Sequence, residues 1–441
     1  MSKTKIIIIG AAGRDFHNFN VVYRNNPEVE VVAFTAAQIP DIDGRKYPAS
    51  LAGDGYPNGI PILAEEDLEK LIKEHNVDEC VLSYSDLAYD TVMHLASRVM
   101  VAGAKFSMLA AEPTMVKSTK PVISITAVRT GCGKSQTTRQ VVRVLKDMGL
   151  KVASIRHPMP YGDLEKQKVQ RFAELADLKK HDCTIEEMEE YEPHIAMDSI
   201  IYAGVDYEAI LREAEKEADV IIWDGGNNDM PFYKPDLSIV VADPLRPGHE
   251  VAYYPGEVNF RMADVIVINK IDSAYPEDVE EILDNARALN PKAKVILAAS
   301  TIQVDDAAVI EGKQVLVVED GPSLTHGEMD IGAGTVAARR FGASDLVDPR
   351  PWTVGKITET FEKYPEIGIL LPAMGYGEQQ MKDLEESINA TECEAVVIGT
   401  PINLGRFINI KHPSTRVYYE LGEIGTPNLK GIISEKMKDM K

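Results

Sequence analysis

Short apolar runs alternate with amphipathic stretches almost from the first residue of the chain. Lys5-Ile6-Ile7-Ile8-Ile9-Gly10 is a β-branched run that stops at glycine, which predicts a strand buried on both faces of a parallel sheet. Runs at 29–34 and 80–84 alternate with helical patterns at 65–75 and 89–101, and this order predicts an open parallel sheet with right-handed crossovers over 1–118. The proline-containing polar stretch 112–121 reads as a linker. From Val122 the pattern restarts, with runs at 122–126, 151–155, 220–223, 237–242, 265–268 and 295–298 predicting a second doubly wound sheet over 119–312. Runs at 315–318, 367–371 and 395–398 predict a smaller α/β unit over 313–441.

Composition narrows the class. A chain of 441 residues exceeds one ordinary core, and 44% hydrophobic with 26% charged residues is the balance of a folded protein. A net charge of -22 repels polyanions, so neither nucleic acid nor an anionic membrane is an expected partner, and an anionic substrate would need cations gathered locally. The opening apolar run is too short to span a bilayer and lacks a small-residue cleavage site, which predicts a cytoplasmic protein. Cys80, Cys132, Cys183 and Cys393 have no zinc-ligand spacing and suit a reducing compartment.

The candidate chemistry starts at the strand ending before Val128. There Arg129, Thr130, Gly131, Cys132, Gly133, Lys134, Ser135 and Gln136 form a glycine loop that opens a helix, as a P-loop does. Its backbone N–H groups would face phosphate oxygens, Lys134 would supply positive charge to the β and γ groups, and Ser135 would ligate Mg2+. Val128 replaces the first glycine of the usual motif. The run 220–223 ends at Asp224, the place of a carboxylate that holds magnesium, with Gly225 and Gly226 allowing close approach. The run 265–268 delivers Asn269-Lys270-Ile271-Asp272, the N-K-x-D pattern of guanine recognition. Gly10-Ala11-Ala12-Gly13 has only part of the dinucleotide fingerprint and reads equally as tight strand-to-helix packing. The predicted fold class is therefore α/β, with an N-terminal Rossmann-like sheet, a P-loop NTPase domain and a smaller C-terminal α/β unit.

With the stretches 10–20, 154–164, 255–259, 319–327 and 399–406, these motifs give a chain that resembles, over nearly its whole length, the cyclic 2,3-diphosphoglycerate synthetase family and its P-loop GTPase-like relatives. The resemblance implies Mg2+- and ATP-dependent closure of 2,3-diphosphoglycerate to a cyclic phosphoanhydride, with release of ADP and phosphate. Lys134, Asp224 and Arg156 are then the catalytic candidates. Arg14, His17, Arg156, His157, Arg246, His249 and Arg261 are the candidates for binding a small phosphorylated acid, because most of them follow a predicted strand or sit in a Gly/Pro-rich loop. A homo-oligomer is expected. The N-K-x-D pattern keeps GTP open beside ATP, and with it a regulatory or metallochaperone-like GTPase; a nicotinamide-dependent enzyme using the Gly10 turn is a third reading.

Overall fold

The computed structural model describes residues 3–11, 13–37, 44–156, 162–321, 324, 331–373 and 378–439. Among them the chain is mixed α/β, with one six-stranded sheet, one thirteen-stranded sheet and a two-stranded ribbon. The first sheet is built from β1 (Thr4–Ile9), β2 (Val29–Ala36), β3 (Lys46–Tyr47), β4 (Ile60–Ala64) and β5 (Glu79–Leu82); β6 (Leu87–Ala88) lies outside it and β7 (Lys105–Met108) completes it. Their spatial order is β3-β4-β2-β1-β5-β7, parallel except at β3. The isoleucines of β1 are wholly buried from Ile6 onward, as a two-sided strand requires.

The second sheet begins with β8 (Val122–Ala127), β9 (Val152–Arg156), β10 (Gln170–Phe172), β11 (Ile200–Ala203), β12 (Val220–Trp223) and β13 (Leu237–Ala242). β14 (Tyr253–Tyr254) pairs with β6 and ties the two sheets' domains together. The second sheet continues with β15 (Val265–Ile268), β16 (Lys294–Val304), β17 (Gln314–Asp320), β18 (Asp345–Leu346), β19 (Leu371–Ala373), β20 (Ala395–Ile398) and β21 (Ser414–Ile424). Its order is β10-β11-β9-β12-β8-β13-β15-β16-β21-β20-β17-β18, with β19 also on β17. The run at 367–371 was expected to be a strand throughout, but only its last residue enters β19.

One junction sets the shape of the second sheet. β16 pairs with β15 only through Lys294 to Leu297, then runs on to pair antiparallel with β21 from Leu297↔Ile424 to Val304↔Val417. β20 is parallel to the far end of β21, from Val396↔Ser414 to Ile398↔Arg416, and β17 is parallel to β20. The strands of the last segment therefore run opposite to those of the central segment and are displaced along the β16–β21 ribbon. Both sets of carboxyl ends point at one another across a gap, and carboxyl ends are where open α/β sheets place ligands.

The first turn of the chain is spent on docking the domains. Arg14 donates from Nη1 to the Thr114 hydroxyl (3.1 Å) and from Nη2 to the Met230 carbonyl (2.7 Å), and its guanidinium lies over Phe232. His17 stacks on Phe232 at 4.2 Å and donates from Nε2 to the Thr114 carbonyl at 2.6 Å. In the Gly10 turn the N–H groups of Gly13 and Phe16 already donate to Asp15, and a Cβ on Gly10 would come within 2.8 Å of that carboxylate. The turn is packed against its own helix.

Burial, reinforced by Arg14, pushes the His17 imidazole down to about 3, so the folded ring stays neutral. In the unfolded chain it takes up a proton near its ordinary value of about 6.5. Its contribution is therefore complete above about 6.5 and is lost as pH falls toward 3, at ~1.4 kcal/mol per pH unit within that window. His17→Phe keeps an aromatic ring on Phe232 and removes the titration. Urea denaturation of this variant should lose less stability on acidification from about pH 6 to about pH 4 than the wild type does; parallel losses would remove His17 from the acid sensitivity.

Candidate functional site

The glycine loop forms as its sequence requires. Gly131 and Gly133 have φ of +85° and +104°, and a Cβ on Gly133 would stand 2.1 Å from Asn269 Nδ2. The helix Lys134–Asp147 starts directly from the loop, so its unpaired N–H groups face the same space. Four contacts hold the loop from outside. Asn269 donates to the Cys132 carbonyl (2.9 Å), Lys270 to the Gly131 carbonyl (2.7 Å), and Arg246 to the Thr130 carbonyl (2.7 Å), while Thr130 donates its N–H to Asp86 (3.2 Å).

Asp86 comes from the N-terminal domain and sits at φ +59°, a conformation that costs a non-glycine residue free energy. Its other oxygen lies 2.6 Å from Arg129 Nε, and the Arg129 guanidinium lies 3.6 Å from the centre of the Tyr253 ring, with Nη1 near His249. Arg129 is thus buried beside the loop as a strut. Burial pushes the Cys132 thiol up to about 11, so this loop residue is a protonated filler.

Asp224 stands at the end of β12 with 1% exposure. It accepts from Lys134 Nζ (2.5 Å) and the Thr138 hydroxyl (3.0 Å) through Oδ1, with Arg156 (3.4 Å) and His194 (3.6 Å) on Oδ2. Burial alone would raise its pKa, but Lys134, His194 and Arg156 outweigh burial and hold the carboxyl well below the usual range. Burial, helped by Arg156, lowers the Lys134 ammonium from its ordinary value. A single ionised carboxylate next to a loop hydroxyl suits Mg2+, which takes most of its oxygens from phosphate and water; no group of three or more His, Cys, Asp or Glu able to hold a metal occurs among the described residues.

Between the facing sheet edges lies a cleft of about 620 Å³. Lys134, Ser135 and Arg156 line one side of it, and Glu319, Asp320 and Gly332 line the other. Glu189 and Glu190 reach it from the helix Ile185–Ile195. Arg156 bonds Glu190 at 2.6 Å, and the Thr400 hydroxyl donates to Glu189. Glu319 at the end of β17 is 2% exposed and accepts from the N–H groups of Gly334 (3.1 Å) and Thr335 (2.7 Å). Burial raises it to about 7 in spite of these bonds.

Several expected positions need correction. Arg14 and His17 are buried at the domain contact described above, and Arg261 is half exposed on its helix, paired with Glu257 at 2.6 Å. These three do not line the cleft. Arg246 and His249 lie behind the loop, bracing it directly or through Arg129, on a segment that turns at Gly248 with φ +81°. His157 lies outside the described residues. Of the N-K-x-D residues, Asn269 and Lys270 are loop braces, and Asp272 accepts the Ser300 N–H at 3.1 Å. Sequence reasoning missed Glu190, His194 and Glu319. Glu190 and His194 share a helix face at i,i+4, and Glu319 follows a four-residue apolar run, but only the fold turns these carboxylates and the imidazole inward.

Asp86→Ala should destabilise the protein by about 3 kcal/mol, because it removes the buried carboxylate that pairs with Arg129. The loop N–H of Thr130 also loses its acceptor. Denaturant titration checks the first effect, and calorimetric nucleotide binding should show weaker affinity; a change below about 1 kcal/mol with unaltered affinity would show that the strut is dispensable.

No known family profile matches the chain. It is 62% identical over 437 residues, 99% of this chain and 98% of the other, to a protein of Thermococcus kodakarensis named arginine synthetase ArcE. Among solved structures, LpxK from Aquifex aeolicus in complex with ATP matches 73% of this chain and 90% of its own at 12% identity and a TM-score of 0.44. A DUF1611 family protein from Anabaena variabilis covers 67% of this chain at a TM-score of 0.23. Neither score reaches the level of a shared fold. The Thermococcus relative overturns the expectation of cyclic 2,3-diphosphoglycerate synthesis. The cleft supplies a physical reason as well, since a substrate with two phosphates would meet Glu189, Glu190, Glu319 and Asp320. No helix among the described residues is long and apolar enough to cross a membrane.

Proposed function

The chain belongs to the family of the arginine synthetase ArcE, and we propose that it makes arginine by nucleotide-driven formation of the last guanidinium C–N bond. The observation that carries this reading is the pairing of opposite chemistries in one cleft, with a phosphate cradle at Gly131 to Ser135 and carboxylates on the other walls. Phosphoryl transfer needs the first, and a cationic amino-acid product needs the second.

A guanidinium differs from a ureido group by nitrogen in place of oxygen, and that oxygen is a poor leaving group. In the proposed sequence the ureido oxygen of citrulline attacks the γ-phosphorus of ATP, and the bond to the β-γ bridging oxygen breaks to release ADP. Ammonia then adds to the ureido carbon, the C–O bond breaks with its electron pair leaving on phosphate, one ammonia proton passes to the departing phosphate, and the protons retained on nitrogen give the guanidinium. Lys134 holds the β and γ oxygens, and loop N–H groups take the charge that develops there. Ser135 and Asp224 would hold Mg2+, which when bound neutralises phosphate charge. Arg156, fixed between Glu190 and Asp224, positions the transferred group.

Incubation of the protein with Mg2+, ATP, citrulline and ammonium, followed by phosphorus NMR and amino-acid analysis, should give arginine, ADP and phosphate in equal amounts. Lys134→Ala should slow this by about 100-fold or more while retaining the fold. Absence of arginine with the wild-type protein, or release of AMP and pyrophosphate, would overturn the reading.

A further inference from the structure

We infer that Glu319 is the anchor for the nitrogen-rich end of the amino acid, taking the guanidinium of arginine and the ureido N–H groups of its precursor on the wall of the cleft opposite the phosphate loop. This rests on the arginine-forming reading and assigns the side of the cleft that nucleotide chemistry leaves unused.

The place comes from topology. Glu319 is near the carboxyl end of β17, and the β16–β21 ribbon turns that end toward the carboxyl end of β8, where the phosphate loop begins. An amino acid between the two walls has its reacting carbon near both the transferred phosphoryl group and a carboxylate. The orientation of Glu319 comes from its neighbours. A Cβ on Gly332 or Gly399 would lie 2.5 or 2.4 Å from its Oε2, so backbone encloses the group and leaves it little rotational freedom. The N–H groups of Gly334 and Thr335 occupy one site on each oxygen. The Thr335 hydroxyl also acts on this carboxylate; with about four acceptor sites on a carboxylate, at least one remains open to a ligand N–H group.

Electrostatics point the same way. No Lys, Arg or His among the described residues pairs with Glu319, and the nearby charge acting on it is that of Asp320. The other acidic groups reaching the cleft from the helix Ile185–Ile195 are engaged, Glu190 by Arg156 and Glu189 by Thr400. A buried carboxylate without a cation is costly, and a cationic ligand relieves that cost. A purely structural carboxylate, serving only as a cap for the helix Ala333–Arg340, would have no effect on ligand choice.

Calorimetry with the full chain and free arginine tests the inference without turnover. Wild type should bind arginine, Glu319→Gln should bind it about tenfold or more weakly, and ATP affinity should stay within about twofold in that variant. Arginine binding that is equal in wild type and a folded Glu319→Gln protein would overturn the assignment while leaving arginine synthesis standing. Failure of the wild type to bind arginine at all would defeat the arginine-forming reading and this inference with it. Should Glu319→Gln not fold, the wild type alone decides: a charged anchor predicts that arginine binds about tenfold more tightly than citrulline, and equal affinities would overturn it.

Discussion

The antiparallel pairing of β16 with β21 is the constraint on which the site depends. A single parallel sheet would carry all its carboxyl ends along one edge, and its ligands would meet one set of loops. Reversing the strand direction at this pair, and sliding the second set along an eleven-residue strand, turns two such edges into the walls of one cleft. The phosphate loop and Glu319 are more than 180 residues apart in the chain, and this ladder brings them to the same space. Their chemistries stay separate because each wall is built by its own loops.

The phosphate loop is held in shape by more than its glycines. Asn269, Lys270, Arg246 and Asp86 bind its carbonyls or an N–H, and they come from three different parts of the fold, including the N-terminal domain. Such bracing lowers the reorganisation needed when charge moves between phosphates. It also explains why the N-terminal domain is docked so firmly, with Arg14 and His17 buried on Phe232 and β6 paired with β14. A loosely docked domain would carry Asp86 away from Thr130.

Much of this architecture was legible in the sequence. The strands at 220–223, 237–242, 265–268 and 395–398 match their apolar runs to the residue, since parallel strands buried on both faces leave continuous hydrophobic segments. The phosphate loop was readable because its chemistry demands a fixed local order. β21 was not identified, although Thr415, Val417 and Leu421 are buried at alternate positions; one-sided strands give a weaker signal. The cations failed for a different reason. Arg14 after a strand looks in sequence like Arg156 after a strand, and only tertiary contacts show that one faces Phe232 and the other Asp224. The overall resemblance led toward a phosphorylated acid because it was carried by the nucleotide machinery, whereas the carboxylates of the opposite wall come from segments with no comparable motif.

A sheet ladder also works as a ruler with coarse marks. Side chains along β16 and β21 alternate faces, so a slip of one residue would turn Ser300, Ile302 and Tyr419 away from the cleft they line. The smallest slip that keeps them facing inward is two residues, which would move the walls by about 6.6 Å. The distance between them can therefore change only in steps of that size, and finer adjustment to a longer or shorter amino acid is left to side chains. On this ribbon, discrimination by chain length is a property of register.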